Sequence, residues 1–574
     1  MFSASIARVA IAASMCWHYV SLRRPLMRAA ADPALAQWRL LQSVLARNAA
    51  TTFGREHAFA SIHSLADYQR KVPIQDYDTL STYISRQFDG EAALTIDQPC
   101  YCARTSGTTG NYKDIPLTRR GVQQLRHAQK QLALSLWLSS RFLSGSVLGF
   151  ASPAIEGYLP GGCAYGSVSG SAYRSLPRII ASKFVMPAAT FAVTDAEAKY
   201  QLYALATLAC DNITGMVAAN PSSMLKLARL INEHAETLLQ VLHSAPSSWL
   251  LPEAQPHVDA IVEQVSAQRL RNLQQQLQTH GELAPATVWP ALSTIATWTG
   301  GSCGIALQQL LPLLPAATRV VEYGYGASEF MGSVNVDTTH NYCLPQLTHH
   351  VYEFVERGDW EAADEAVGGV VSGVVGSAAE ARPAEQHQFL GPHELQEGAE
   401  YYVFVTTQSG LYRYHINDIV RAGPRVRGCA SIAFLQKGRG VTNITGEKLS
   451  EYQLIQAVAT ASSRLSLTVE SYLALADEAA FCYHLYIDMP NAEQAQALGA
   501  EVERELCQLN IEYRDKRASG RLQALQSKLM VPGAGETIKG WYIARGVREA
   551  QYKPPVLEYA RDWSDRLGSL EFKR

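Results

Sequence analysis

NITGMVAANPSSMLKLARLI, residues 212–231, reads as a strand, a turn and a helix. Residues 212–218 are an apolar run of strand length. Asn220-Pro221 marks a turn, and from Ser222 to Ile231 the apolar residues recur at helical spacing. Pro221 suits the start of that helix, because its missing N–H has no partner to lose there. Strand, tight turn, helix is the repeating unit of an α/β domain. Two further junctions obey the same grammar: residues 295–298 run into TGGS (299–302), and residues 318–321 run into YGYGASE (323–329). In α/β folds, ligands gather where strands end and loops begin.

Working outward, the first 95 residues look mainly helical, with a helix opening near Ser64 and Val72-Pro73-Ile74 closing the gap to the next. A Gly/Ser/Thr loop interrupts at 104–111. Residues 358–388 form a biased, Gly/Val-rich insertion, expected to be a mobile surface loop. Residues 401–407 read as a strand, Ser409-Gly410 as a turn and residues 411–421 as the returning strand. After about 430 the texture changes. Residues 466–475 and 481–488 read as strands, and a long helix starts near Asn491. Its stripe is Ala495, Leu498, Val502, Leu506, Leu509 and Tyr513. No internal repeat is present. The expected architecture is α/β, with a large multi-subdomain N-terminal domain (1–430) and a small α+β C-terminal domain (431–574). The boundary falls around Lys437-Gly438-Arg439-Gly440.

Composition narrows the function classes. The chain has 574 residues, 47% apolar and 18% charged, so it is globular and long enough for two domains. A net charge of −2 argues against a general nucleic-acid binder. The ten cysteines include no CxxC pair, and Cys100 and Cys102 have no second cluster to complete a metal site. They read as reduced cytosolic thiols. Residues 1–22 are apolar but interrupted by Arg8 and His18, too short and broken to span a bilayer. They read as an amphipathic helix packed on the body, with a signal or membrane-surface segment as the alternative. The protein is expected to be soluble and cytoplasmic.

Five clusters carry candidate chemistry. TSGTTGNYK (105–113) offers glycines for close backbone approach, hydroxyl donors and the point charge of Lys113, all suited to phosphates. It lacks the Walker order, and an ordinary polar turn is the alternative. In YGYGASE (323–329) an aromatic ring suits a purine, and Glu329 is a hard oxygen ligand for Mg²⁺. A glycine-rich turn with a solvated carboxylate is the other reading. In GLYRYHIND (410–418), Asp418 at a strand end can accept from both ribose hydroxyls. Otherwise it is a satisfied carboxylate beside Arg413 or Arg421. The fourth cluster is Gly438-Arg439 with TGEKLSE (445–451). The fifth is QYKPP (551–555), where prolines hold a lysine on a short loop; a solvated surface lysine is the alternative.

Their order resembles the adenylate-forming superfamily of acyl and aminoacyl ligases. The similarity is greatest to one branch, the Gretchen Hagen type acyl acid amido synthetases of the auxin-responsive promoter family. It spans about residues 50 to 560. TTFGREH (51–57), VPIQDY (72–77), TSGTTGNYKDIP (105–116), NPSSMLKL (220–227), WTGGS (298–302), YGASE (325–329), GLYRYHINDIVR (410–421), GEKLSE (446–451), YRDKRASGRL (513–522) and QYKP (551–554) follow in family order. The resemblance implies roles. Thr105, Ser106, Gly107, Thr108, Thr109 and Gly110, with Lys113, would hold ATP phosphates. Tyr325 and Ser328 would border the adenine, and Glu329 would serve Mg²⁺ and the phosphates. Asp418 would bind the ribose. Gly301, Ser302, Gly326 and Arg439 would join the nucleotide contacts. Lys553 would neutralise the adenylate-forming transition state. Two positions depart from the family pattern: Asn417 stands where Gly is usual, and Tyr112 replaces a small residue or Pro.

The implied reaction joins a small-molecule carboxylic acid to an amine, through an acyl-AMP made from ATP. The C-terminal domain would rotate on the 430–440 linker between the two steps. Transfer to coenzyme A and a non-catalytic nucleotide-binding scaffold are the rivals. Residues 152–171 are a plausible wall of the acyl pocket. No nucleic-acid or membrane partner is expected, and the protein is read as a monomer.

Overall fold

The computed structural model describes residues 4–568 apart from 107–111, 152, 187, 245–247, 302, 367–386, 439, 443, 445–446, 448, 478, 519–521, 545–548, 550–551 and 567. The chain divides into two compact units. The first comprises Met1–Trp298, Leu310–Ile416 and Val420–Ala433; the second comprises Thr299–Gln309, Asn417–Ile419 and Phe434–Arg574.

In the first unit the strand–turn–helix reading holds. Strand Ile213–Val217 leads to helix Ser222–Glu233, with Pro221 as its N-cap residue. The Asn220 side chain accepts from the Ser222 amide at 2.9 Å, which closes the turn. The strand lies in a four-stranded parallel sheet, ordered Ser146–Gly149, Ile213–Val217, Thr294–Thr297, Arg319–Glu322. Every residue of Thr294–Thr297 is buried, as expected of a parallel strand covered on both faces. Two further sheets flank the functional loops. One pairs Pro99–Ser106 with Tyr112–Thr118 and includes Ala164–Gly166 and Gly157–Tyr158. The other runs Val351–Glu356, Glu400–Thr406, Tyr414–Val426, Cys429–Lys437.

Helix Ala4–His18, a π-turn Tyr19–Arg23 and helix Arg24–Ala29 open the chain. Ile11 and Met15 pack against Leu134 of helix Arg119–Ser139. Arg23 is buried and donates to the carbonyls of Gln131 and Val336, each at 3.3 Å. The segment is therefore packed on the body, as its amphipathic pattern predicts. Helix Arg357–Ala366 occupies the start of the expected 358–388 loop, so that part is ordered helix; residues 367–386 lie outside the described residues.

The second unit is an α+β sandwich. Its sheet runs Gln526–Leu529, Cys482–Asp488, Ser471–Asp477, Leu557–Tyr559. Alternation along Ser471–Asp477 sends Tyr472, Ala474 and Ala476 into the core beneath helices Glu451–Leu465 and Ala492–Leu509. Leu473 and Leu475 point to the other face, against Ile538 of helix Ala534–Ala544. Two boundaries differ from the sequence reading. The strand expected over 466–475 starts at Ser471, because Ser466 takes a left-handed φ of 51° to cap the preceding helix. The long helix ends at Leu509, which is exposed, and Tyr513 belongs to the following helix Ile511–Ala518, where it is fully buried.

Candidate active site

The phosphate-loop motif sits on a hairpin. Strands Pro99–Ser106 and Tyr112–Thr118 pair in register up to Ser106 opposite Tyr112, so residues 107–111 connect them. Gly107, Thr108, Thr109 and Gly110 lie outside the described residues, and Thr105 and Ser106 are described by their backbone alone. The hairpin's flank is locked by Arg104, which grips Asp114 with two bonds of 2.8 and 2.9 Å and lies 4.0 Å above the Tyr165 ring. Lys113 is half-buried, its ammonium 5.4 Å from the centre of the Tyr77 ring.

Tyr77 connects this hairpin to other motifs. Its hydroxyl accepts from the Asp114 amide at 2.9 Å. It opens helix Tyr77–Phe88, fixed by a capping box between Asp76 and Thr79. The preceding Gln75 pairs with the 410–421 motif: its amide donates to the Arg413 carbonyl (3.1 Å), and its carbonyl accepts from the His415 amide (2.7 Å). Tyr414 lies between those two contacts. Burial raises its phenol well above the ordinary value, and the negative charge of Glu329 adds to the shift. Lys113, Tyr77, Tyr414 and Glu329 thus bring four separated motifs into one neighbourhood of the first unit.

Glu329 and Ser328 form the tip of a tight turn. The Ala327 amide donates to the Phe330 carbonyl at 2.9 Å, leaving these two residues between them, both half-buried. Gly326 bridges Met331 at the turn's neck. Tyr325 is buried and meets Phe330 edge-on at 5.6 Å, so its ring helps to hold the turn. Gly324 is obligatory: its φ is 101°, and a Cβ there would stand 2.8 Å from the Ser333 carbonyl oxygen.

The second unit holds the remaining predicted residues that the structure describes. Gly300 and Gly301 lie against Phe434. A Cβ at Gly300 would meet the Phe434 carbonyl oxygen at 2.4 Å, and Gly301 has a φ of 57°. The Phe434 ring also receives Lys553, whose ammonium is 4.8 Å from the ring centre. One aromatic ring therefore collects the WTGGS loop and the QYKP lysine, which is itself exposed. Asp418 is buried and follows Asn417, whose φ is 58° and whose carbonyl accepts from the Gly438 amide at 2.9 Å. The left-handed backbone explains the Asn: after Gly, Asn is the residue that best tolerates that conformation. Arg413 pairs with Glu353, and Arg421 is bonded to Glu400. Ser302 and Arg439 lie outside the described residues.

Three carboxylates were given no role by the sequence, although two of them, Glu447 and Glu451, lie in its fourth cluster. Glu451 begins helix Glu451–Leu465 and its amide donates to the Gly440 carbonyl at 2.9 Å. Burial raises its pKa to about 7; the charge of Glu558 adds to the rise and Lys553 opposes it. Glu558, on strand Leu557–Tyr559, is also raised to about 7, by burial and then Asp562. Glu447 of the same motif is structural: it is fully buried and accepts from the Ile444 amide at 2.7 Å and from the Tyr483 hydroxyl. In the first unit a small pocket, with room for little more than a water molecule, is lined by Tyr101, Val122, Leu125, Arg126, Val168 and Ala172. Arg126 Nε is buried there without a hydrogen-bond partner. Of the expected acyl wall at 152–171, Val168 and Ser171 line this pocket, on helix Val168–Arg174, which Ser167 caps at the Gly170 amide (2.9 Å).

Comparison with solved structures gives the class first. The fold matches the GH3.15 acyl acid amido synthetase with a TM-score of 0.80 at 21% identity, covering 96% of both chains. It matches a 2-hydroxyisobutyryl-CoA ligase, solved with its acyl-AMP, with a TM-score of 0.53 at 11% identity over 93% of this chain and 90% of that one. The fold is that of the adenylate-forming enzymes. Models of the GH3 family N-terminal, central and C-terminal domains match residues 23–316, 343–437 and 452–561. The chain belongs to the GH3 family. Among curated relatives, the Arabidopsis thaliana indole-3-acetic acid-amido synthetase GH3.15 is 24% identical over 90% of this chain and 89% of its own length. The 4-substituted benzoates-glutamate ligase GH3.12 from the same plant is 23% identical over 47% of this chain and 46% of its own.

Proposed function

We propose that this chain is an ATP-dependent acyl acid amido synthetase that activates a carboxylic acid as its acyl-AMP and passes the acyl group to the amine of an amino acid. The observation that supports it best is the meeting of residues 72–77, 105–116, 325–329 and 410–421 around Tyr77 and Tyr414. A non-catalytic scaffold would have no need to retain Glu329, Asp418 and Lys553 together.

In the first step a carboxylate oxygen attacks the α-phosphorus of ATP, and the bond to pyrophosphate breaks. Negative charge accumulates on the transferring group, and Lys553 offsets it; Lys113 and the loop at 105–110 hold the outer phosphates. Asp418 takes the ribose hydroxyls, and Ser328 lies along the adenine. In the second step the amine nitrogen attacks the acyl carbonyl, the bond to AMP breaks, and the nitrogen loses its extra proton. The C-terminal domain, residues 431–574, turns on the 430–440 linker between the steps.

Mg²⁺ fits this set through Glu329, a hard oxygen donor at a turn tip. No group of three metal-binding side chains exists among the described residues. That suits an ion which arrives with ATP and keeps phosphate and water as its main ligands. It would supply charge neutralisation between the phosphates. The reading also includes a cytoplasmic monomer.

The test is pyrophosphate release over a panel of aromatic and aliphatic acids, followed by product mass with an amino acid panel and with coenzyme A. No pyrophosphate from any acid sinks the enzyme reading. A thioester product without an amide sinks the amide step.

A further inference from the structure

Helix Ala4–His18 has two faces, and only one is used by the fold. Ile11 and Met15 are buried against helix Arg119–Ser139. The other face carries Val9, Ala13, Cys16, Trp17 and Val20, spaced by four, three, one and three residues, which is one stripe of a helix. Val9 is 70% exposed, Trp17 67% and Val20 51%; Tyr19 beside them is 47% exposed. Singly such residues need no explanation, but an aligned stripe containing a tryptophan does.

The charged side chains of this segment are of one sign. Residues 1–31 contain no Asp or Glu, and Asp32 is the first acid in the chain. Arg8, Arg24 and Arg28 are exposed, while Arg23 turns inward to Gln131 and Val336. The helix is not long and apolar enough to cross a membrane. An exposed apolar stripe with Trp, bordered by arginines and free of acids, has the chemistry of a helix lying in the plane of an anionic lipid surface.

We propose that this face docks on anionic membrane lipid, with Val9, Trp17 and Val20 entering the headgroup boundary and Arg8, Arg24 and Arg28 meeting the phosphates. This departs from the sequence-based expectation of no membrane partner and is independent of the reaction assigned above. A second copy of the chain suits the face less well. A two-fold pairing of this helix would set arginine beside arginine with no acid to neutralise them.

The test is sedimentation of the full-length chain with vesicles of phosphatidylglycerol and of phosphatidylcholine. We expect binding to phosphatidylglycerol at low salt, at least about ten-fold weaker binding to phosphatidylcholine, and release by high salt. Trp17→Ser with Val20→Ser, and separately Arg8→Gln with Arg24→Gln, should each reduce bound protein by about ten-fold or more. All four positions are exposed, so thermal melting and pyrophosphate release should be unchanged and serve as fold controls. The proposal is overturned if the chain does not sediment with phosphatidylglycerol, or if both double variants bind as well as the parent. It is equally overturned if Trp17→Ser abolishes a dimer seen by light scattering while lipid binding is absent.

Discussion

Arg413 paired with Glu353 in the first unit and Lys553 in the neighbourhood of Glu451 in the second are built to opposite rules. Arg413 is fully buried and held through Nε, Nη1 and one face of its guanidinium. Its Nε donates to Glu353 at 3.0 Å, its Nη1 to the carbonyls of Gln69 (2.8 Å) and Val72 (2.9 Å), and its guanidinium lies 4.3 Å above the Phe389 ring. Lys553 is exposed and rests on an aromatic ring, and the Glu451 near it titrates close to neutrality. The first arrangement fixes backbone: it ties 69–72 to 413 and so sets Tyr414 beside Tyr77. The second leaves its cation exposed. Buried ion pairs with many bonds hold folds, whereas exposed cations beside carboxylates of shifted pKa belong to sites that do chemistry.

The largest expected effect falls on the fixed pair. Arg413→Leu leaves Glu353 buried without its cation and should cost about 3–5 kcal/mol of stability by urea denaturation. Adding Glu353→Leu should recover part of that loss. If Arg413→Leu melts like the parent, the pair is not structural and the contrast fails.

Lys553→Ala should behave in the opposite way. Stability should hardly change, while acyl-AMP formation falls by about 10²–10³-fold, the range for losing one preorganised charge. Chemically supplied acyl-AMP should still react with the amine at near the normal rate. Equal loss of both half-reactions would return Lys553 to an ordinary surface residue.

Asp418 is buried like Arg413 yet assigned to the ligand. Asp418→Ala should weaken ATP binding by about 1.5–3 kcal/mol in calorimetry. Asn417→Gly, which keeps the left-handed backbone, should leave it nearly unchanged. Unaltered ATP affinity in Asp418→Ala rejects the ribose role.

The smallest effect is one of pH. The folded-state pKa values of Glu451 and Glu558, about 7, lie above the ordinary carboxylate value. Their protonated forms therefore favour the fold. That contribution is complete below the ordinary carboxylate range and is lost as pH rises through about 7. Glu451→Gln should flatten the fall of Tm between about pH 5 and pH 8 and raise Tm by a few degrees at the alkaline end. A parallel pH profile in the variant would show that Glu451 is not the titrating group.

Much was legible in the chain because it is encoded locally. Residues 212–231 contain their own periodicity, turn and helix start, and they fold as read. The Gly/Ser/Thr loop, the YGASE turn and the QYKP lysine were visible as residue types whose chemistry suits a nucleotide. The Asn417 departure, puzzling in one dimension, becomes ordinary once its φ of 58° is seen. Tertiary structure alone decided what several motifs are for. VPIQDY is a clamp that pairs with 413–415, and Phe53 of TTFGREH stacks on Tyr412 at 4.9 Å. Those partners lie more than 300 positions away in the chain, and no local pattern announces them. Likewise Leu509 fits a helical stripe by spacing, but the helix stops there and leaves it in water. Glu451 and Glu558 look like surface acids until folding brings each other and Lys553 near. Periodicity and capping depend on neighbours a few residues away, which a sequence displays. Desolvation and long-range pairing depend on which surfaces meet, and only the folded chain brings those together.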